Sequence, residues 1–246
     1  MVQIVLIRPG TSEFDAQGRI QGNLDIPLSE QGQREVQQCI GELEPLGLTV
    51  VYSSPCEAAW QTASAIAMGL EIKAKQLETL ENLDHGLWQG LLVEEVRRKQ
   101  PKVFRQWQEH PELVCPPEGE MVADCRQRVE AAIAKLQKKH REGVIGIVAP
   151  EPLASIIHCV VVAGKSADKW KANCRGAAWQ VLGENIHSLQ VRGTEILVPC
   201  NGNSHETPVA KGAATALGNG KAPGIVAKNG ANPGSIPAPV SLESRS

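Results

Sequence analysis

Short apolar runs alternate with amphipathic stretches through the first 200 residues of this chain. Val2-Gln3-Ile4-Val5-Leu6-Ile7 is almost unbroken in its apolar character, the pattern of a buried strand. A loop follows. Ser29 then caps a helix that runs to about Pro45 and sets Val36, Cys39, Ile40 and Leu43 on one face. Val50-Val51-Tyr52 reads as a short strand, Glu57–Met68 as a helix, and Leu70–Lys75 as a strand. Glu94–Gln100 and Lys102–His110 read as short helices broken at Pro101, which lacks the N–H that continues a helix. Glu118–Arg141 is a long amphipathic helix with Val122, Cys125, Val129, Ile133 and Leu136 inward, closed by Gly143. Val144–Ala149 is a further strand, and Pro152–Val162 a helix with proline at its opening. Three last strands are expected near 178–183, 186–191 and 194–198.

Alternating strands and helices predict an α/β fold, a three-layer αβα sandwich around a mostly parallel sheet. Ligands of such folds bind beyond the carboxyl ends of the strands, at a topological switch point. The pattern stops near residue 200. From Asn201 onward more than half of the residues are Gly, Ala, Pro or Asn, and none is aromatic. Such a composition buries too little apolar surface to offset its ordering entropy. The chain therefore divides into a domain, 1–200, and a tail, 201–246, expected to be disordered.

Composition narrows the function. The chain has 246 residues, 42% of them hydrophobic, and a formal net charge of −2. That charge gives no electrostatic footprint for nucleic acid. No apolar run approaches the roughly 18 residues that span a bilayer. Met1-Val2-Gln3 carries no basic segment and enters a strand at once, so no signal peptide and a cytoplasmic location are expected. The seven cysteines (39, 56, 115, 125, 159, 174 and 200) are scattered and never spaced Cys-x-x-Cys. They are expected to be reduced and mostly buried, with no metal site and no cofactor.

One register is far more specific than composition. It runs Leu6-Ile-Arg-Pro-Gly-Thr-Ser-Glu-Phe-Asp, then Gly18-Arg-Ile-Gln-Gly-Asn-Leu-Asp-Ile-Pro-Leu-Ser, then Gly32. Further on come Val51-Tyr-Ser-Ser-Pro, Ala59-Trp-Gln-Thr-Ala63, Leu80 with Gly86-Leu-Trp-Gln-Gly90, and Pro116-Pro-Glu-Gly-Glu120. Across residues 2–198 the chain resembles the phosphoglycerate mutase-like histidine phosphatase superfamily. The resemblance implies a strand ending in Arg-His-Gly, whose imidazole attacks phosphorus and becomes phosphohistidine. It also implies two arginines and a second histidine around the equatorial oxygens, and an acid that protonates the leaving oxygen.

This chain departs from that set at nearly every position. The nucleophile position is Pro9, which has no lone pair and no titratable proton. The second histidine's position is Pro150, the second arginine's is Ala58, and the proton donor's is Asn82. A one-residue shift would bring Glu81 to the donor position, but the spacing to Gly86, Trp88 and Gly90 selects Asn82. An asparagine that touches phosphate in many members aligns with Asp15, whose charge repels phosphate. Arg8 alone remains. Each charge-assisted hydrogen bond to phosphate contributes about 1.5–3 kcal/mol. Three lost partners and one gained carboxylate weaken a micromolar site to millimolar or worse, at about 1.4 kcal/mol per tenfold.

Two readings stand for Arg8: an anion-binding residue, or the partner of Asp15 or Glu151 in a shrunken pocket. Cys56 near a helix start is either an activated thiolate with His85 as its base or a small buried hydrophobe. His158 lies about two turns of helix beyond Pro150. Trp60, Trp88, Trp107, Trp170 and Trp179 read as packing anchors rather than a binding face. Arg97-Arg98-Lys99 and Lys138-Lys139-His140-Arg141 read as solvated helix ends, the second complementing the helix dipole. The expected function is that of a catalytically inactive histidine phosphatase homologue. It would act by protein interaction or by weak binding of a small molecule or phosphate, with a homo-oligomer as one possible assembly. The alternative is an active phosphomonoesterase or mutase that works through substitute residues.

Overall fold

A computed structural model describes residues 2–162 and 176–182. The strands expected at 186–191 and 194–198, the tail 201–246, Trp170, Cys174 and Cys200 lie outside those residues.

β1 (Gln3–Ile7) buries Ile4 and Leu6 toward one helical layer and Val5 and Ile7 toward the other. Both sets of alternating side chains meet apolar surface, so the run carries no polar alternation. β2 (Leu48–Ser53), β3 (Lys73–Gln76), β4 (Val144–Val148) and β5 (Trp179–Leu182) complete the sheet in the order β3-β2-β4-β1-β5. The first four strands are parallel, and β5 pairs antiparallel to β1. The sheet is therefore mixed but mostly parallel, with helices on both faces, as the alternation of elements implies.

Helices α1 (Glu13–Gln17), α2 (Glu30–Leu43) and α3 (Glu57–Gly69) precede β3. α4 (Val93–Lys99), α5 (Pro101–Glu109), α6 (Val122–Lys139) and α7 (Leu153–Val161) follow it. α2 and α3 pack Cys39, Leu43, Ala63 and Ile66 on the Val5 and Ile7 face. α6 and α7 pack Cys125, Val129, Ile133, Leu136 and Ile157 on the Ile4 and Leu6 face. A smaller cluster of Ile20, Trp88, Val96, Phe104 and Val114, with Trp107 against it, joins α4 and α5 to the segment 86–90.

Several expected boundaries move. α1 occupies part of the expected loop. Ser12 caps it, accepting from the Asp15 amide while the Asp15 carboxylate accepts from the Ser12 amide. Five residues are too few to show a helical period, so only the cap marks it. β3 starts at Lys73 rather than Leu70, because the amides of Leu70 and Ile72 still bond back to Ile66 and Ala67 of α3. α6 starts at Val122 rather than Glu118, which sits at φ 60° in a turn. It ends at Lys139 rather than Arg141. His140 leaves helical geometry, and its Nε2 lies 2.9 Å from the Tyr52 hydroxyl.

The connection after β1 passes close over the start of α2. A Cβ on Gly10 would lie 2.4 Å from the Gly32 carbonyl oxygen, and one on Gly32 would lie 2.2 Å from that of Thr11. Both contacts are with backbone, so only glycine fits at either position. This crossing sets where the chain emerges from β1. β4 runs beside β1 in register, Ile7 opposite Val148, and the Ala149 amide donates to Ile7 at 3.0 Å. β2 returns to the sheet on the far side of β4, so β1 and β4 form the switch point. Arg8-Pro9-Gly10 and Ala149-Pro150-Glu151 are thereby brought together at the carboxyl edge.

Candidate functional site

Arg8 leaves β1 with its amide donating to Ala178 at 2.8 Å. Its Nη2 lies 2.5 Å from Glu151 Oε1, and both side chains are about four-fifths shielded from solvent. Glu151 stands in the turn before α7, and the Ser155 hydroxyl on that helix donates to its Oε2 at 2.6 Å. His158 lies three residues after Ser155, on the same face of α7. Its Nε2 stands 3.5 Å from Nε2 of Gln180 on β5. Burial lowers the His158 pKa below its ordinary value, Arg8 lowers it further, and Glu151 opposes both. Of the two partners open to Arg8 from sequence, Glu151 is the one it meets. Asp15 is exposed and spent on the α1 cap, where its Oδ2 accepts from the Ser12 amide at 2.9 Å.

Pro9 is half-buried, and Gly10 after it donates to the Thr62 hydroxyl at 3.2 Å. Thr62 in turn donates to the Ala58 carbonyl at 2.8 Å. The next residue, Thr11, directs its amide and hydroxyl onto Glu35, at 2.8 to 3.0 Å. Ala58, on the first turn of α3, is 1% exposed and clusters with Leu28 and Val36. Pro150 is buried, and its carbonyl accepts from the Ala154 amide at 2.9 Å.

Asn82 is 1% exposed, and both ends of its amide are occupied. Nδ2 donates to Gly22 at 2.7 Å and to Glu151 at 3.0 Å, both backbone carbonyls. Oδ1 accepts from the Leu153 amide at 3.2 Å, at the start of α7. A carboxylate offers no N–H for the two carbonyls, so asparagine at this position is a fastener. Arg128 of α6 holds the same loop from behind. It forks onto Glu120 through Nε and Nη2, both at 2.8 Å, and donates to the carbonyls of Glu81 and Asn82. Sequence reasoning passed over Arg128, Ser155 and Gln180. The i, i+4, i+7 spacing of Glu151, Ser155 and His158 was the one signal available for that face.

Cys56 and His85 are not a pair. Cys56 packs in the α2–α3 cluster, and burial pushes its thiol pKa up. His85 is 3% exposed and meets Trp107 edge to face, with ring centroids 5.6 Å apart. Burial lowers its pKa to about 4, against a weaker opposing pull from Asp84. Cys39 and Cys125 are likewise buried, with pKa values pushed up to about 12. Cys159 is half-buried and Cys115 exposed. Trp88 and Trp179 are buried anchors. Among the described residues no group of His, Cys, Asp and Glu is placed to hold a metal, and no helix is long and apolar enough to cross a membrane.

The model of the histidine phosphatase superfamily (branch 1) matches residues 4–195. The chain belongs to the histidine phosphatase superfamily. Phosphoserine phosphatase 1 of Hydrogenobacter thermophilus is 32% identical over 182 residues, 74% of this chain and 86% of that protein. Phosphoglycerate mutase-like protein 4 of Arabidopsis thaliana is 29% identical over 153 residues, 59% of this chain and 65% of that protein. Among solved structures, a mycobacterial glucosyl-3-phosphoglycerate phosphatase with VO3 aligns with a TM-score of 0.69 at 22% identity. That alignment covers 78% of this chain and 97% of the other. YhfR of Bacillus stearothermophilus aligns with a TM-score of 0.68 at 24% identity, covering 79% and 97%. These two likenesses establish the histidine phosphatase fold. The two relatives are named as a phosphatase and a phosphoglycerate mutase-like protein.

Proposed function

We propose that this histidine phosphatase homologue does not transfer phosphoryl groups and works by binding, as a protein-interaction module or a weak ligand sensor. The observation that carries this reading is the Arg8–Glu151 contact. In the superfamily's chemistry the arginine after the first strand faces a substrate anion. Here a carboxylate of the chain itself stands 2.5 Å from it. A phosphate arriving at Arg8 must displace or face that carboxylate, and like charges at such a distance repel.

The other positions add to this reading. Pro9 and Pro150 stand where the resemblance puts imidazoles, and neither holds or passes a proton. Ala58 sits among Leu28 and Val36, in a setting suited to a methyl group rather than a guanidinium. Asn82 uses its donors on backbone carbonyls. Within the superfamily's scheme, nucleophile and general acid are without a side chain to perform them, and of the charge clamp only Arg8 is left, facing Glu151.

A second reading rests on one observation: His158 lies one turn beyond Ser155, the partner of Glu151, with its Nε2 3.5 Å from Gln180. An active enzyme would use this imidazole as a substitute nucleophile. Hydrolysis of phosphoserine, 3-phosphoglycerate and a chromogenic phosphomonoester decides between the two. The first reading expects turnover no faster than the buffer blank, and no acid-labile phosphate on the protein. Turnover that disappears in His158→Ala, with phosphohistidine trapped at that residue, would establish the second. The variant Pro9→His, Ala58→Arg, Asn82→Glu, Pro150→His, with Glu151→Gly, is expected to gain hydrolysis where Pro9→His alone does not.

A further inference from the structure

Among the described residues β3 is the outer strand of the sheet, three strands from β1, and its sequence is Lys73-Ala74-Lys75-Gln76. Register pairs Lys73 with Val50 and Lys75 with Tyr52. Both lysines therefore lie on the α6 side of the sheet, and both are exposed. The carboxyl end of α6 meets them there. Lys139 Nζ stands 5.4 Å from the centroid of the Tyr52 ring, and His140 bonds the Tyr52 hydroxyl. Burial, then the charges of Lys139 and Lys75, hold the His140 pKa below its ordinary value. Lys138 and Arg141 flank them in sequence and are exposed. Among the described residues none of these five cations lies within 4 Å of a carboxylate, although Glu71, Glu78 and Glu142 are in neighbouring turns.

An outer strand presents backbone donors and acceptors to any extended chain. Lysines at alternate positions select which chain. A second copy of β3 pairing antiparallel about Ala74 would set Lys73 against Lys75, and like charges across a pair are destabilising. A segment with carboxylates at alternate positions would meet opposite charge at the same two places. Nucleic acid cannot make the strand pairing and finds no exposed aromatic ring here on which to stack. We propose that this edge docks an extended acidic segment of a partner protein, added as a sixth strand beside β3, with Lys73 and Lys75 matched to acidic residues two apart. The inference goes beyond the reading of the Arg8 pocket, since it uses the outer strand β3, three strands from β1.

The test titrates the full chain against a fluorescent peptide that alternates Glu with Val, and against a peptide of the same composition with its glutamates contiguous. A single-stranded RNA oligonucleotide and phosphatidylserine vesicles form two further arms. The alternating peptide is expected to bind about tenfold more tightly than the contiguous one. Its binding should weaken with salt and fall about tenfold in Lys73→Glu/Lys75→Glu. Deuterium uptake across 73–76 should drop when it is bound. Equal binding of the two peptides, preference for RNA or vesicles, an unaffected lysine variant, or no binding of any probe would each overturn the proposal. A hydrolysis assay reads the Arg8 pocket separately, so the two ideas fail independently.

Discussion

Nη2 of Arg8 lies 2.5 Å from Oε1 of Glu151, across the join between the first strand and the turn that follows the fourth. The two residues are distant in sequence, and both are largely shielded. An ion pair so placed loses more by losing one member than by losing both, because the survivor stays desolvated and unpaired. Arg8→Met and Glu151→Gln are each expected to destabilise the protein by about 2 kcal/mol, and the double variant by less than their sum. Urea denaturation of the four proteins gives the coupling; strict additivity would show that the contact contributes nothing.

Asn82→Ala removes three hydrogen bonds at once and leaves the Gly22 and Glu151 carbonyls and the Leu153 amide without their side-chain partner. A loss of about 2–4 kcal/mol is expected, at the upper end for single hydrogen-bond deletions. Asn82→Glu should lose a similar amount, because a carboxylate has no N–H for the two carbonyls. A melting temperature unchanged from the parent in either variant would contradict this account of the residue.

Ala58→Arg puts a long cation into a site walled by Leu28 and Val36. Overpacking a filled site costs about 1–3 kcal/mol. The arginine alone should therefore lower stability and give no measurable affinity for phosphate in a calorimetric titration. Phosphate binding at micromolar levels would mean that the pocket accepts the guanidinium without repacking.

His85 links stability to pH. Its folded pKa is about 4, below the ordinary 6.5, so the unfolded chain takes up the proton first as pH falls. The group's contribution is complete above about pH 6.5 and is lost between there and 4. The loss reaches about 3 kcal/mol at pH 4. His85→Phe keeps an aromatic edge for Trp107 and removes the titration. The difference in unfolding free energy between parent and variant should change over that interval and stay flat from pH 7 to 8.

Much of the site was legible in the chain before any tertiary contact was known. Strand and helix periods were strong where cores are apolar on both sides, as at residues 2–7 and 144–149, because burial leaves its mark directly on residue type. The weaker boundaries failed for local reasons. α1 is too short to show a period, and Leu70 and Ile72 look like strand residues while their amides still serve α3. Glu151 was one of two open partners for Arg8, and sequence offered no means of choosing. Arg128 was invisible, since its four partners lie some 8 to 49 residues away and no spacing rule joins them.

The identity of Pro9, Ala58, Asn82 and Pro150 is a property of the sequence, and so is the absence of an imidazole, guanidinium or carboxyl group at those four positions. Functional groups are carried by residues, and no fold supplies one that a residue lacks. What replaced them was decided by tertiary structure alone. Parallel pairing of β1 with β4 set Glu151 against Arg8, and the close crossing at Gly10 and Gly32 set the path of the loop that carries Pro9. Such contacts depend on which strand ends become neighbours, and that follows from packing the sheet between its helices.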